Sequence, residues 1–170
     1  MIVIRPEKPE DVPLIYSVHE KTFKRDAEAK LADKLRQACD DHLSLVAEVN
    51  GTIAGHIMFT PVQIINGKKV QGMGLAPMAV LSSRQRCGIG TLLVKSGLQV
   101  LQDQGCPFVI VLGHPDYYPR FGFQPASRFN VKSQWEGVPD EAFMILVLDE
   151  KACQNLSGIA MFRHEFDETL

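Results

Sequence analysis

After Pro9 to Asp11, apolar residues recur at helical spacing as Val12, Ile15, Tyr16 and Phe23, which predicts an amphipathic helix opening at that point. His19 falls on the same apolar face, where a lone histidine reads first as a core or rim residue. A second helical stretch is expected around Glu28 to Ala38, and a short first strand at Val3 to Arg5. From Leu43 onward the period shortens to that of strands. Leu43 to Val49 and Thr52 to Thr60 flank Asn50-Gly51, a dipeptide suited to the tight hairpin turn whose two central residues both need positive φ. A second pair, Asn66-Gly67, joins Val62 to Ile65 with Lys69 to Gly72, which leads into a strand at Ala76 to Leu81. The sheet is therefore expected to begin as an antiparallel meander.

The periodicity becomes helical again at Ile89, Leu92, Leu93, Ser96, Val100 and Leu101, one face of a helix running to Gln104. Gly105 and Pro107 end it, as a C-terminal glycine and a following breaker do. Phe108 to Leu112 is an uninterrupted apolar run, as expected of a strand buried on both faces. Strand, helix, strand makes one right-handed βαβ unit with a parallel pair. A short helix around Asp116 to Pro119 precedes Phe121-Gly-Phe123, and Ala142 to Leu148 is the last clear strand. Antiparallel and parallel pairing thus share one central mixed sheet, and the fold class is α+β.

Composition narrows the functions available. The 170 residues are 45% hydrophobic and 22% charged with a net charge of −2, values of an ordinary globular protein. No excess of positive charge calls for nucleic acid or an anionic membrane, and no segment approaches the ~18 consecutive apolar residues of a membrane span. Met1 to Glu7 lacks the pattern of a signal peptide, and Cys39, Cys87, Cys106 and Cys153 lie far apart with no Cys-x-x-Cys pair. The expectation is a cytoplasmic protein with neither a disulfide framework nor a metal site.

The chemistry is concentrated between Leu75 and Val94, where an apolar strand, a basic glycine turn and an amphipathic helix follow one another directly. Such a turn aims several backbone N–H groups at one place beside the positive end of a helix dipole, which suits a phosphate. A P-loop is excluded because no lysine follows Gly90, and a dinucleotide fingerprint because Leu93 stands where its third small residue belongs. Cys87, inside the turn, reads as a small inert residue or as a thiol tuned by the helix N-terminus.

Gln85-x-x-Gly88-x-Gly90 resembles the signature of the GCN5-related N-acetyltransferases (GNAT). The context matches as well, since Tyr118-Pro-Arg-Phe-Gly-Phe123 repeats that family's tyrosine four residues before a Gly-Phe pair. Leu75 to Val80, Val111 to Tyr118 and Pro139 to Met144 look like the YhbS-like branch of predicted acetyltransferases. The resemblance covers Ile2 to Leu148 and, weakly, the tail. It implies a GNAT domain over residues 1–150, with 151–170 as a C-terminal extension packed on it. Two parallel strands would splay and bind acetyl-CoA between them. The backbone of Met78, Ala79 and Val80 would pair with the pantetheine and acetyl groups, and the amides of Arg86, Cys87, Gly88, Ile89, Gly90 and Thr91 would hold the pyrophosphate.

By the same resemblance Tyr118 is the general acid that protonates the departing CoA sulfur, with packing beside Phe121 and Phe123 as its plainer role. Some relatives carry a basic glutamate near the start of the motif strand, but Gly72-Met-Gly-Leu75 offers no carboxylate. Glu48, His56, His114 and Asp116 are the titratable candidates near strand ends, and His114 and Asp116 lead because they lie on the loop before Tyr118. The expected reaction is acetyl transfer to a primary amine of a small molecule or peptide, with acetyl-CoA as cosubstrate. The alternatives are a noncatalytic acyl-CoA sensor and a protein acetyltransferase. Ile159 to Phe162 in the tail either completes this domain as a strand or meets a second subunit in a homodimer.

Overall fold

The computed structural model describes residues 1–169, and they fall into two compact units. The strands are β1 (Ile2–Pro6), β2 (Leu43–Val49), β3 (Thr52–Asn66), β4 (Lys68–Val80), β5 (Phe108–Leu112), β6 (Gln124–Pro125), β7 (Val131–Ser133), β8 (Phe143–Val147) and β9 (Gly158–Met161). The helices are α1 (Val12–Phe23), α2 (Ala27–Ala38) and α3 (Ile89–Asp103). Hydrogen bonding orders the strands β1-β2-β3-β4-β5-β8-β6, with β9 paired to both β3 and β7. Among the described residues no helix is long and apolar enough to cross a membrane.

The first unit comprises, among the described residues, Met1–Thr60, Ala76–Gln99 and residues 164–169. Here β1, β2 and the first part of β3 pair antiparallel, with a bulge between Ala47 and Glu48. Asn50 (φ 50°) and Gly51 (φ 82°) both take the left-handed conformation that the expected hairpin turn requires. One side of the strands packs on α1 through Ile15, Val18, Val46, Ile53 and Ala79. Other β3 positions meet α3: a Cβ on Gly55 would lie 3.1 Å from both Ile89 and Leu93, and one on Gly97 only 2.4 Å from the Phe59 ring. The glycines thus let helix and strand approach closely.

The second unit comprises Pro61–Leu75 and Val100–Arg163. Its centre is β5, whose Phe108, Val109, Ile110 and Val111 are all buried. On one edge β5 pairs parallel with β4 at Met73↔Val109 and Gly74↔Ile110, and on the other it pairs antiparallel with β8 along its whole length. Having no N–H, Pro77 cannot extend a ladder as β4 continues to Val80.

Several elements differ from the sequence expectation. Val62 to Ile65 is the continuation of β3 and not a separate strand, and Lys69 to Gly72 and the piece expected from Ala76 belong to one strand, β4, which ends at Val80, before Leu81. Gly72, the expected end of the first piece, lies inside the strand as a close-packing position: a Cβ on it would stand 2.5 Å from the Phe108 carbonyl oxygen. The short helix expected at Asp116 to Pro119 is a 3₁₀ turn at Tyr118–Phe121, where Pro119 sits in the first turn and its missing N–H costs nothing. Leu92, placed on the apolar face of α3, is 40% exposed. The tail contributes β9, which pairs antiparallel with Gln63–Ile65 and parallel with β7. Within the expected 151–170 extension, Leu170 lies outside the described residues.

Candidate active site

In the first unit the end of β4 leads through Leu81 and a 3₁₀ turn at Ser82–Arg84 into Gln85–Gly88 and then α3. Leu81 N–H donates to Ala54 O at 2.9 Å, and Ala79 O lies 3.3 Å from where a Cβ on Gly55 would stand, so alternate residues 79 and 81 face β3. Strand alternation then turns the backbone groups of Met78 and Val80 to the opposite edge. Ala79, expected beside them, is committed to β3. The Val80 carbonyl accepts two side-chain hydrogen bonds, from Gln85 Nε2 at 2.9 Å and from Thr22 Oγ1 at 3.3 Å.

The turn itself is exposed from Ser82 to Gly88. Arg86 (φ 63°) and Gly88 (φ 84°) are both left-handed. A non-glycine residue pays about 1 kcal/mol for that conformation at Arg86, and at Gly88 any side chain would be strained although the space around it is open. Leu92 N–H makes an i→i−4 bond of α3, to Gly88 O at 3.0 Å. The N–H groups of Ile89, Gly90 and Thr91 precede it and have no intrahelical acceptor, which leaves them for an anion at the positive end of the helix dipole. Cys87 is exposed, with Sγ 3.6 Å from Gln85 O.

In the second unit β5 ends at Leu112 and the chain turns through Gly113-His-Pro-Asp-Tyr117. His114 O closes the turn by accepting the N–H groups of Tyr117 at 3.1 Å and Tyr118 at 3.4 Å. Tyr118 is only 9% exposed, its ring set edge-on to Tyr117 and Phe123 with centroids 5.1 and 5.7 Å away. Burial, reinforced by Tyr117, pushes its phenol well above the ordinary tyrosine value, so the hydroxyl stays protonated at neutral pH. Gly113 makes the room for this ring, since a Cβ there would meet Tyr118 Cε2 at 2.3 Å. Gly113→Ala should therefore displace Tyr118 and destabilise the protein by about 1–3 kcal/mol; an unchanged urea midpoint and near-ultraviolet circular dichroism would contradict it.

The four candidate bases have different surroundings. Glu48 is held by Arg5 at 2.9 Å. His56 is 0% exposed and hydrogen-bonded on both ring nitrogens. His114 and Asp116 have exposed side chains in the second unit. Sequence reasoning did not find Thr22, the Gln85 clasp on Val80, the space provided by Gly113, or the chain Ser44–His56–His19. Only the spacing of His19 and Thr22, three residues apart on α1, signals that both point the same way.

Residues 3–126 match the family model for an acetyltransferase (GNAT) domain. The chain is 34% identical to the uncharacterized N-acetyltransferase YhbS of Escherichia coli (strain K12) over 98% of its own length and 99% of that protein. The crystal structure of YhbS from Escherichia coli in complex with CoA superposes with a TM-score of 0.90 over 98% of this chain and 92% of that one. A GNAT family acetyltransferase from Brucella melitensis, in complex with acetyl-CoA, is 33% identical with a TM-score of 0.80, over 98% of this chain and 99% of that one. Likeness over almost the full length, together with the strand, turn and helix described above, leads to one conclusion: the chain belongs to the GNAT family of N-acetyltransferases.

Proposed function

We propose that the protein transfers the acetyl group of acetyl-CoA to a primary amine of a small molecule or peptide, by direct attack in a ternary complex. The observation that carries this reading is the exposed left-handed turn at Arg86–Gly88 in front of the unpaired N–H groups of α3. Those of Arg86, Cys87, Gly88, Ile89, Gly90 and Thr91 are the donors for the CoA pyrophosphate. The outward edge at Met78 and Val80 N–H serves the pantetheine amides as a neighbouring strand would. The relatives with CoA and acetyl-CoA bound support the choice of ligand.

In the reaction the neutral amine attacks the thioester carbonyl carbon, the C–S bond breaks, and one amine proton is lost. Tyr118 donates its hydroxyl proton to the departing sulfur. Its raised pKa makes it a weak acid, so its effect is greatest late in the reaction, when a full negative charge has formed on sulfur. His114 or Asp116 takes the amine proton, directly or through water, and exposure gives either one a path to solvent.

CoA at a hundred times its dissociation constant should stabilise the fold by about 2.7 kcal/mol, read as a rise in Tm. No shift at saturating CoA would contradict the cofactor site. A panel of amines assayed for acetyl-dependent release of CoA thiol then tests transfer, and CoA binding without release from any amine would favour an acyl-CoA sensor.

A further inference from the structure

The first unit carries a buried polar chain that the proposed reaction does not use. His19 and His56 are both 0% exposed. Their rings meet edge-on with Nε2 of His19 2.8 Å from Nδ1 of His56, and the Ser44 hydroxyl lies 2.7 Å from Nε2 of His56. Ser44 is on β2, His56 on β3 and His19 on α1, so the chain ties the helix to two paired strands. A hydrogen-bonded contact in so dry a layer is directional where apolar packing is not, and it sets how far along the sheet α1 sits.

Three residues further along the same helix, Thr22 reaches the Val80 carbonyl. That oxygen has two lone pairs, and Thr22 and Gln85 occupy them from opposite chain directions, one from α1 and one from the glycine turn. The carbonyl is thereby taken out of use as an acceptor for a neighbouring strand, and the peptide plane that follows β4 is held from two sides. Val80 N–H and the Met78 backbone remain at the outward edge.

We propose that α1 is a positioning element for the cofactor strand, with Thr22 as its contact on Val80 and the Ser44–His56–His19 chain as its anchor. This rests on the reading of Met78 and Val80 as the edge that pairs with acetyl-CoA. Thr22 touches neither reacting atom; it acts through the orientation of the Val80 peptide.

The test is a double-mutant cycle on the full chain, with CoA affinity read by calorimetry and acetyl-CoA KM and kcat by thiol release with whichever amine proves to be accepted. Thr22→Val, which keeps the shape and removes the hydroxyl, should weaken CoA binding by about 3- to 10-fold, the value of one hydrogen bond, and raise KM while kcat at saturation stays within about twofold. Thr22→Ser should restore the wild-type affinity. His19→Phe should weaken CoA by a similar factor, and in the Thr22→Val background it should add less than about twofold, because both act through one contact. Should His19→Phe fail to fold, Thr22→Val and Thr22→Ser still decide the matter through CoA affinity. Wild-type binding that Thr22→Val leaves unchanged, or that Thr22→Ser fails to restore, overturns the positioning role alone. Additive losses overturn the anchoring by the histidine chain. A wild-type protein that does not bind CoA overturns the cofactor reading and this proposal with it.

Discussion

Tyr118→Phe should lower kcat by about 10²- to 10⁴-fold, the range of a lost general acid, while leaving the CoA dissociation constant nearly unchanged. The substitution removes one oxygen from a ring otherwise enclosed by Tyr117, Phe121 and Phe123, so the aromatic cluster and the course of the chain from Gly113 are preserved. In the proposed reading CoA binding draws on the backbone around β4 and α3, which the phenol does not build. The expected pattern is therefore a loss in kcat and kcat/KM together, as for an interaction made only in the transition state. Steady-state thiol release alongside CoA calorimetry measures both. An unchanged kcat would remove Tyr118 from the mechanism and leave it as a packing aromatic. A better leaving thiol, such as a thiophenol ester of acetate, should need the tyrosine less, because its thiolate is stable without a proton.

Stability should fall steeply with acid over a window set by the buried histidines. Burial lowers the pKa of His19 from 6.5 to about 4, with Glu28 raising it and Arg36 lowering it. His56 is pushed well below 6.5 by burial first, then by His19, Arg36 and His42. The sign follows from linkage. Above pH 6.5 both residues are neutral, folded or unfolded, and contribute no pH dependence. Below that the unfolded chain binds protons that the folded protein refuses, and stability drops until the folded pKa is reached near 4. For His19 alone the loss over that interval is about 3 kcal/mol, a large share of a domain's typical 5–15 kcal/mol, and His56 adds to it in the same direction. Asp11, whose carboxylate is held below its usual value chiefly by hydrogen bonds from Arg5, loses its contribution only at still lower pH. Urea midpoints measured at intervals between pH 7 and 4.5 follow the histidine window alone, above the range where Asp11 titrates. A midpoint that stays level down to pH 4.5 would contradict the neutral buried pair.

Much of the candidate site can be read in the sequence because the chemistry proposed for it is backbone chemistry. A glycine turn between a strand and a helix sets the φ angles and the unpaired N–H groups locally, and Arg86 and Gly88 take the left-handed values such a turn needs. Tyr118 is legible for a related reason: its distance from the Gly-Phe pair is a distance along the chain, and the 3₁₀ turn at Tyr118–Phe121 is local. The elements misread are those where a local signal has a distant cause. Gly72 looks like the end of a strand, yet it is glycine because the Phe108 carbonyl lies against it. The strand pieces on either side of it accordingly merge into β4. β6 and β7 are too short to show a period of two.

By itself the sequence determined the α+β class, the hairpin at Asn50-Gly51, the glycine turn and the helix that follows it. Each depends on periodicity, on φ preference or on the absence of a side chain, all properties of residues within a few positions of one another. Only the tertiary structure decided which groups of β4 face outward, that Thr22 and Gln85 share the Val80 carbonyl, and that Gly113 is the space for the Tyr118 ring. It also decided that His19 and His56, 37 residues apart, form one buried hydrogen-bonded pair. Their burial and their partners come from the meeting of α1 with β2 and β3, and desolvation depends on everything that surrounds a group, which no window of sequence contains.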